Sequence, residues 1–549
     1  MGAWFMHPQN PDASRLLADQ LGVHRFTAQA LINRRLETAG DARRFLNPAD
    51  HDFDDPLRIR GMEKAVERLR RAIRQQEPIL VFGDSDVDGI TAAVIASEAI
   101  HRAGGSVDVR SSNRIDNGYG LPDSAVADIL ASGVRVLVLV DCGTNQPEAI
   151  RTLAQNGVDT LILDHHAPLD EPAQPYAMVN VFCAGGDGRE LCSAGLAFKL
   201  AHALLGDATP EQLTPYLDLA AIGTLADCAP LRGESRLIVF KGLACIANSL
   251  RPGLRRLCEA VGLDAISPDA ILRKIVPKLN ASGRLGDCSA ARQLLGRHSP
   301  ESHEMWMGSV DAAHEKTRSL QRRIVGEAMA QASRLNFAED SVVVVAGAGW
   351  HRGLMGPLAS QLAQSYNRPA IAIALEDGLG TGSARSIPSV SVLEVLQRCS
   401  EHLVRFGGHA QACGLTVSRE RLTAFRQAVN QAARDLIAQQ PSGTASGRVL
   451  ECDLDLRTED LTVDWTTEWQ RFAPFGMGNP EPVVVLRQIR LEVKSPRRGW
   501  VREGERQIPV QGSIPTMGMD TPLDMAAVPV IERGELTLRL RDVRLAAAL

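Results

Sequence analysis

Apolar positions along the chain change period several times. Over residues 1 to about 75, Ala65, Leu69, Ala72 and Ile73 recur three or four apart, with Arg and Glu between them, which predicts a helical lead-in. From Ile79 the pattern becomes short apolar run, glycine turn, helix. Ile79–Phe82 predicts a buried strand, an acidic loop follows, and Gly89 releases the chain into the Ala-rich helix Ile90–Ile100. Val107–Arg110, Val134–Val140 and Thr160–Leu163 repeat the apolar run, with helical segments between them. Strands that alternate with helices predict a parallel, doubly wound sheet. Ligands of such sheets bind beyond the carboxyl ends of the strands. Asp84–Asp88, Asp141 and Asp164–His166 each follow a strand directly, so three separate segments bring acidic or imidazole groups to one sheet edge.

Further on, Trp306 to Leu335 keeps a 3-4 spacing through Val310, Ala313, Thr317, Leu320, Ile324, Ala328 and Ala332, and predicts one long helix linking two halves. A second α/β unit starts at Ser341, with strands at Val342–Ala346 and Pro369–Leu375 around the helix Leu354–Tyr366. Two glycine-rich stretches, Gly380–Ser386 and Phe406–Gly414, read as loops. The Ser/Gly-rich linker Pro441–Gly447 precedes a final region with strands at Val449–Leu456, Glu481–Val493, Gln507–Ile514 and Glu535–Leu545. About a hundred residues of short strands predict a small barrel of the OB type. The expected organisation is α/β. It comprises a lead-in (1–75), a parallel-sheet domain (76–300), a connecting helix (301–337), a second α/β domain (338–440) and the barrel (448–549).

Composition changes this picture little. At 549 residues the chain holds about three to four domains. Its 44% hydrophobic and 23% charged content is that of a globular protein. A net charge of −5 does not announce a nucleic-acid binder, although a local basic groove is compatible with it. Arg490, Lys494, Arg497, Arg498 and Arg502 gather around Trp500 in the barrel region, which suits a single-strand groove or a solvated loop. Ten cysteines occur without a C-x-x-C pair, which leaves a zinc ribbon unsupported. No leader pattern opens the chain, and no apolar run reaches the roughly 18 residues of a membrane span, so a cytoplasmic protein is expected.

The chemistry centres on Asp84, Asp86 and Asp88. Three acidic groups within five residues repel one another, and a hard divalent cation relieves that repulsion. D-S-D-V-D-G also matches the start of an EF-hand loop, but the twelfth position would be Ile95, which cannot coordinate. Asp227, at the end of an apolar helical segment, gains weight only from the other acids. Pro277–Leu285 reads as a loop carrying Asn280 and Arg284. Ser383, Arg385 and His409 sit among small residues, where backbone N–H groups and an Arg fork can take an anion.

These motifs together resemble the DHH phosphoesterase family. Asp164–His165–His166 is the triplet that names it. Gly83–Gly89, Asn117–Leu121, Asp141–Gly143 and Gly223–Asp227 resemble the rest of its motif series, and Gly382–Ser386 with Phe406–His409 resembles the DHH-associated domain. Asn280–Leu285 and Pro474–Pro482 narrow the likeness to the single-strand-specific 5′→3′ DNA exonucleases of the family. The resemblance implies two metal ions, usually Mn²⁺ with Mg²⁺ as the alternative, held by Asp84, Asp86, Asp88, Asp141, His165 and Asp227. It implies catalytic roles for Asp141, Asp164 and His166, with His166 on the scissile phosphate. Arg114, Tyr119, Asn280, Arg284, Ser383, Arg385 and His409 fall on its substrate side. Ser85 stands where relatives often have Tyr or Phe. Phe82 stands where some offer a histidine, so one metal is expected to be held less tightly.

Carboxylates with one imidazole suit Mn²⁺ or Mg²⁺, and two such ions roughly 3.5–4 Å apart serve in-line displacement at phosphorus without a protein nucleophile. The resemblance implies a bacterial repair and recombination exonuclease that releases 5′-mononucleotides from single-stranded DNA. It also implies a single-stranded-DNA-binding protein and a RecQ-type helicase as partners, and nucleoid association during action. A monomer is expected. The alternative is a DHH phosphodiesterase for short oligonucleotides or cyclic dinucleotides. A manganese pyrophosphatase and an inactive DNA-binding scaffold fit the extended architecture and the retained ligand residues less well.

Overall fold

The computed structural model describes residues 3–113, 115, 120–169, 171–183, 190–206, 209–297, 300–439, 449–503, 506–514 and 521–546. Arg114, Tyr119 and the Pro441–Gly447 linker lie outside the described residues. The chain opens with a short strand, β1 (Trp4–Met6), and three helices, Pro11–Leu21, Arg25–Asn33 and Ala39–Leu46. The first sheet follows: β2 (Ile79–Gly83), β3 (Val107–Ser111), β4 (Val136–Val140), β5 (Asp159–Asp164) and β6 (Ala177–Asn180). Its order is β3-β2-β4-β5-β6, every pair parallel, as the strand–helix alternation predicts. Both faces are covered, so β2 and β4 are apolar at every position and fully buried. The chain runs outward from β2 to β3 and then crosses back to β4. The topological switch point therefore lies between β2 and β4, with Gly83 paired to Val140 at its edge.

The predicted linking helix is present as Pro300–Ala332. Its apolar stripe serves two cores: Met307 and Val310 pack with the first sheet's helices, and Ile324, Ala328 and Ala332 pack with the second unit. That unit contains β7 (Val343–Ala348), β8 (Ala370–Glu376), β9 (Leu379–Arg385), β10 (Leu403–His409) and β11 (Ala412–Ser418), in the order β10-β11-β9-β8-β7. Only β7 and β8 run parallel; the other pairs are antiparallel. The glycine-rich stretches expected as loops are thus strand β9 and the β10–β11 hairpin. Their glycines and alanines leave no apolar alternation to read, yet Ser383 pairs with Ala372 on one side and Gly414 on the other. Pro277–Leu285 is likewise no loop but the helix Val276–Arg284. Pro277 directly follows the π-helical turn Ile271–Ile275, a local widening of the kind that accommodates an interior proline.

The last region holds β12 (Leu450–Cys452), β13 (Leu454–Leu456), β14 (Val484–Ser495), β15 (Arg498–Glu503), β16 (Arg506–Gln511), β17 (Leu523–Glu532) and β18 (Glu535–Leu545). Strands β14-β15-β16-β18-β17 form a ring that the β17–β14 pairing closes, giving the expected five-stranded barrel. The first residues of the chain belong physically to this barrel. β1 pairs in parallel with β12, and the Trp4 indole donates to Asp542 at 2.8 Å. The three first helices share one core with Trp465, Trp469, Phe472 and the barrel strands. Glu468 accepts from the His24 N–H and the Thr27 hydroxyl, at 3.0 and 2.6 Å. Among the described residues no single helix is long and apolar enough to cross a membrane.

Leu31, fully buried in that shared core, tests the union. Leu31→Ala is expected to cost about 2–5 kcal/mol. The loss should appear as faster amide exchange in β14–β18, although Leu31 lies outside the barrel in sequence. Unchanged barrel protection would show that the helices fold separately.

Candidate metal and phosphate site

The acidic loop leaves β2 at the switch point and enters the helix Val87–Arg102 with Asp86 as its N-cap. The Asp86 carboxylate accepts from the Asp88 and Gly89 N–H groups at 3.1 and 3.2 Å. Asp84 is fully buried and accepts from the Ser112 hydroxyl at 2.6 Å. Asp88 is met by a helix N-terminus: the Ser193 and Ala194 N–H groups of the helix Ser193–Leu205 reach its two oxygens at 2.9 and 2.8 Å. Two backbone donors at the start of a helix fix this carboxylate in orientation. Asp141 follows β4 in a left-handed conformation, φ 63°, and accepts from the Ser193 hydroxyl at 3.1 Å.

Asp227 comes from a different layer. It caps the C-terminus of the helix Pro210–Ala226, which crosses close to the Ser193 helix. The crossing depends on Gly223, where an added Cβ would stand 2.4 Å from Ala194 Cβ, 2.5 Å from Thr91 Oγ1 and 3.1 Å from Asp88 Oδ1. Beyond Asp227 the chain is held by the barrel's lead-in. The Leu231 N–H donates to the Met477 carbonyl at 2.7 Å, and Arg232 Nε donates to the Gly478 carbonyl at 3.2 Å. The Pro474–Pro482 motif therefore grips the segment just after Asp227.

His165 sits among these carboxylates. Its Nε2 is 3.2 Å from Asp141 and 3.7 Å from Asp88, and its Nδ1 is 3.5 Å from Asp227. Asp164 does something else. Fully buried, it accepts from the backbone N–H of His165 and His166 at 2.8 and 3.2 Å and from Thr144 N–H at 3.3 Å. It also pairs with His166 Nδ1 at 2.7 Å. It positions His166 through Nδ1. The His166 ring lies 6.4 Å from the His409 ring, nearly parallel at 20°, so the second unit's hairpin faces the first sheet's edge.

Three overlapping donor sets result: Asp84–Asp86–Asp141, Asp88–His165–Asp227 and Asp141–His165–His166. Within each, one atom per residue lies within 4.8 Å of the others. All six sequence-predicted metal ligands fall in these sets. The crowding is visible in their acidities. Burial first, then neighbouring carboxylates, raises Asp86 and Asp141 above the usual carboxylate range, and the same causes push Asp227 up to about 8. For His165, burial opposes the charge, but the Asp141 hydrogen bond and the surrounding acids win and push it up to about 11. Five carboxylates crowded round an imidazole form a donor set for hard divalent cations.

The remaining predicted residues fall in two places. Asn280 accepts from the Val87 N–H at 3.1 Å, so its carboxamide supports the acidic loop. The Val276–Arg284 helix ends with Arg284 against the turn before the helix Met355–Tyr366. Ser383 and Arg385 point from β9 toward the start of that same helix: a Cβ on Gly356 would lie 3.0 Å from Arg385 Nη2 and 3.8 Å from Ser383 Oγ. Phe82 packs in the core beneath the sheet. Ser112, Thr144, Ser193 and Ala194 carry no such expectation in the sequence. Of these, the Cys192–Gly195 run of small residues, which opens a helix, offers a readable signal.

Gly223→Ala is expected to force the two helices apart and destabilise the fold by about 1–3 kcal/mol. Chemical denaturation measures it; an unchanged midpoint would mean that the crossing relaxes freely.

Three family models match the chain: the N-terminal domain of the DHH family over residues 78–224, the DHHA1 domain over 339–435 and the RecJ OB domain over 452–498. The chain is 34% identical over 89% of its length to the single-stranded-DNA-specific exonuclease RecJ of Bacillus subtilis, spanning 62% of that protein. It is 32% identical over 77% of its length to the Dickeya dadantii RecJ, spanning 77% of it. The crystal structure of Thermus thermophilus RecJ in complex with Mn²⁺ superposes with a TM-score of 0.84 at 27% identity, over all of this chain and 80% of that one. An exonuclease RecJ bound to manganese gives 0.62 at 31% identity, over 71% of this chain and 98% of that one. With its DHH sheet, DHHA1 unit and OB barrel in the same order, the chain belongs to the RecJ family of single-stranded-DNA-specific exonucleases.

Proposed function

We propose that this chain hydrolyses single-stranded DNA from its 5′ end and releases 5′-mononucleotides in DNA repair and recombination. The observation that carries the reading is the overlap of three donor sets at the switch point, directly below His409 of the second unit. Asp84, Asp86, Asp88, Asp141, His165 and Asp227 are the residues that would hold two divalent cations, Mn²⁺ or Mg²⁺ as in the Thermus relative's structures. Bound there, such ions supply an activated water and neutralise charge developing on phosphorus. The protein's own part is orientation. Asp164 holds His166 by its Nδ1, so that Nε2 is the nitrogen offered to the scissile phosphate, and His409 closes the opposite side. Ser383 and Arg385, at a helix start and near Arg284, anchor the terminal 5′ phosphate by charge-assisted hydrogen bonds. An anchor for a terminal phosphate beside the cutting centre gives exonucleolytic polarity by geometry. The barrel, with Lys494 over the Trp500 ring at 5.2 Å, offers the strand a stacking and basic track. We assign the protein to the bacterial cytoplasm as a monomer that engages the nucleoid, a single-stranded-DNA-binding protein and a RecQ-type helicase.

The test is Mn²⁺-dependent digestion of an oligonucleotide labelled at either end, beside its duplex form and a cyclic dinucleotide. Early release of the 5′-labelled mononucleotide, with the duplex spared, is the expected result. Arg385→Ala should lose preference for 5′-phosphorylated ends. Asp164→Asn should lower kcat by about 10–100-fold, as removal of an orienting partner does. Hydrolysis of the dinucleotide alone would overturn the reading.

Carboxylate crowding gives a second test that needs no turnover. In chelator-treated protein Asp227→Asn removes a repelling group that makes no hydrogen bond to a backbone donor, so the variant should melt higher than the parent. With Mn²⁺ the order should reverse, because the parent alone gains the full binding free energy. Thermal melts with and without Mn²⁺ read both; a variant that melts lower in both conditions would contradict the account.

A further inference from the structure

Away from the donor sets, the first helices, the parallel-sheet domain and the barrel's lead-in meet around a cavity of about 280 Å³. Arg34, Arg35, Arg44, Arg232 and Arg236 line it, against one carboxylate, Asp41. In a chain of net charge −5 this is a local reversal of sign. Some of the charge is answered. Arg34 pairs with Asp453 at 2.9 Å and Arg44 with Asp54 at 2.7 Å. Arg236 has no carboxylate partner among the described residues. It is 3% exposed, its guanidinium reaches the carbonyls of Phe45, Arg471 and Pro474 and lies 4.1 Å from the Phe45 ring centroid, and its Nε has no hydrogen-bond partner. Burial, and after it the neighbouring Arg34, pushes its pKa down to about 10, which still leaves a cation at neutral pH. Arg35 lines the same cavity, exposed, and makes no ion pair among the described residues. A buried guanidinium without a counter-charge is costly, and carbonyl dipoles offset only part of that cost.

Apolar side chains share the lining: Leu36, Phe45, Pro48, Leu231 and Leu237. Arginine forks recognise carboxylate and phosphate alike, but several converging guanidinia match a group with three acceptor oxygens and nearly two charges. The volume sits near the lower bound of small-ligand pockets, roughly 300 Å³, which admits one compact molecule and no oligonucleotide. We propose that this cavity binds a small phosphate-bearing molecule of about mononucleotide size, at a site separate from the donor sets. Its occupant would touch Leu231 and the Gly478–Asn479 turn, the same contacts that grip the segment after Asp227. A route from this cavity to the metal-facing edge is therefore built into the chain.

The experiment is calorimetric titration of the full chain in chelator, with inorganic phosphate and thymidine 5′-monophosphate as probes. Because Arg236→Met could unfold the junction, the exposed Arg35→Glu serves as the main variant and Arg385→Ala marks the other phosphate seat. Binding of a probe that weakens at least about tenfold in Arg35→Glu and persists in Arg385→Ala supports the proposal. Three results would overturn it: no binding of either probe at millimolar concentration, binding indifferent to Arg35→Glu, or binding that Arg385→Ala removes. A folded Arg35→Glu protein, checked by its melting curve, keeps the comparison valid.

Discussion

Repulsion among buried carboxylates is the constraint around which the rest of this structure is arranged. Asp84, Asp88 and Asp141 are almost wholly withdrawn from water, Asp86 and Asp227 partly so; Asp88, Asp141 and Asp227 converge on His165, and Asp84 and Asp86 join them through Asp141. Burying like charges together costs free energy that neither packing nor one imidazolium removes. The fold lowers the cost from the outside. Ser112, Ser193, Ala194 and the Asp86 cap supply donors to the outward lone pairs, and the Ser193 helix adds its positive end. Each carboxylate keeps further lone pairs facing its neighbours. Repulsion is left where cations are wanted, and orientation is fixed where they are not.

That arrangement needs a scaffold that brings distant segments to one point. A parallel sheet does so at its switch point, because β2 and β4 are neighbours whose following loops diverge and leave a crevice. Two helices complete the site from behind the sheet, and Gly223 lets them approach. The long helix carries the DHHA1 unit round to face the same edge. His409 comes to His166 at the end of β10, in a hairpin whose register pairs Gly407 with Gly414 and His409 with Ala412.

Asp84, Asp86, Asp88, Asp141, Asp164, His165 and His166 were legible in the sequence because each follows a readable strand, whereas Asp227 at a helix end and His409 in a glycine-rich stretch were marked only by their motifs. The sheet-end rule turns that order into spatial convergence without any knowledge of contacts. Other features left no such mark. Ser193 and Ala194 reach Asp88 through backbone N–H groups, which have no side-chain signature. Asn280 is spent on Val87, a contact across nearly two hundred residues. Strand β9 hides because Gly380, Gly382 and Ala384 remove the alternation that identifies a strand. The pairing of β1 with β12 is invisible to any local period, since it joins residues about 446 positions apart.

That last pairing has a physical consequence for the site. Closing a loop of several hundred residues costs little more than closing a short one, because the entropy grows only with the logarithm of length. The chain can therefore tie its first helices to its last domain at modest expense and gain a shared core around Trp465 and Phe472. The barrel is then fixed at two points: through the first helices, whose Phe45 carbonyl accepts from Arg236, and through Met477, which holds Leu231. A body held at two points resists rotation as well as translation. The barrel face that carries Lys494 and Trp500 and the donor sets beyond Asp227 thereby keep one relative orientation, which is what the proposed positioning of successive phosphates over those sets requires.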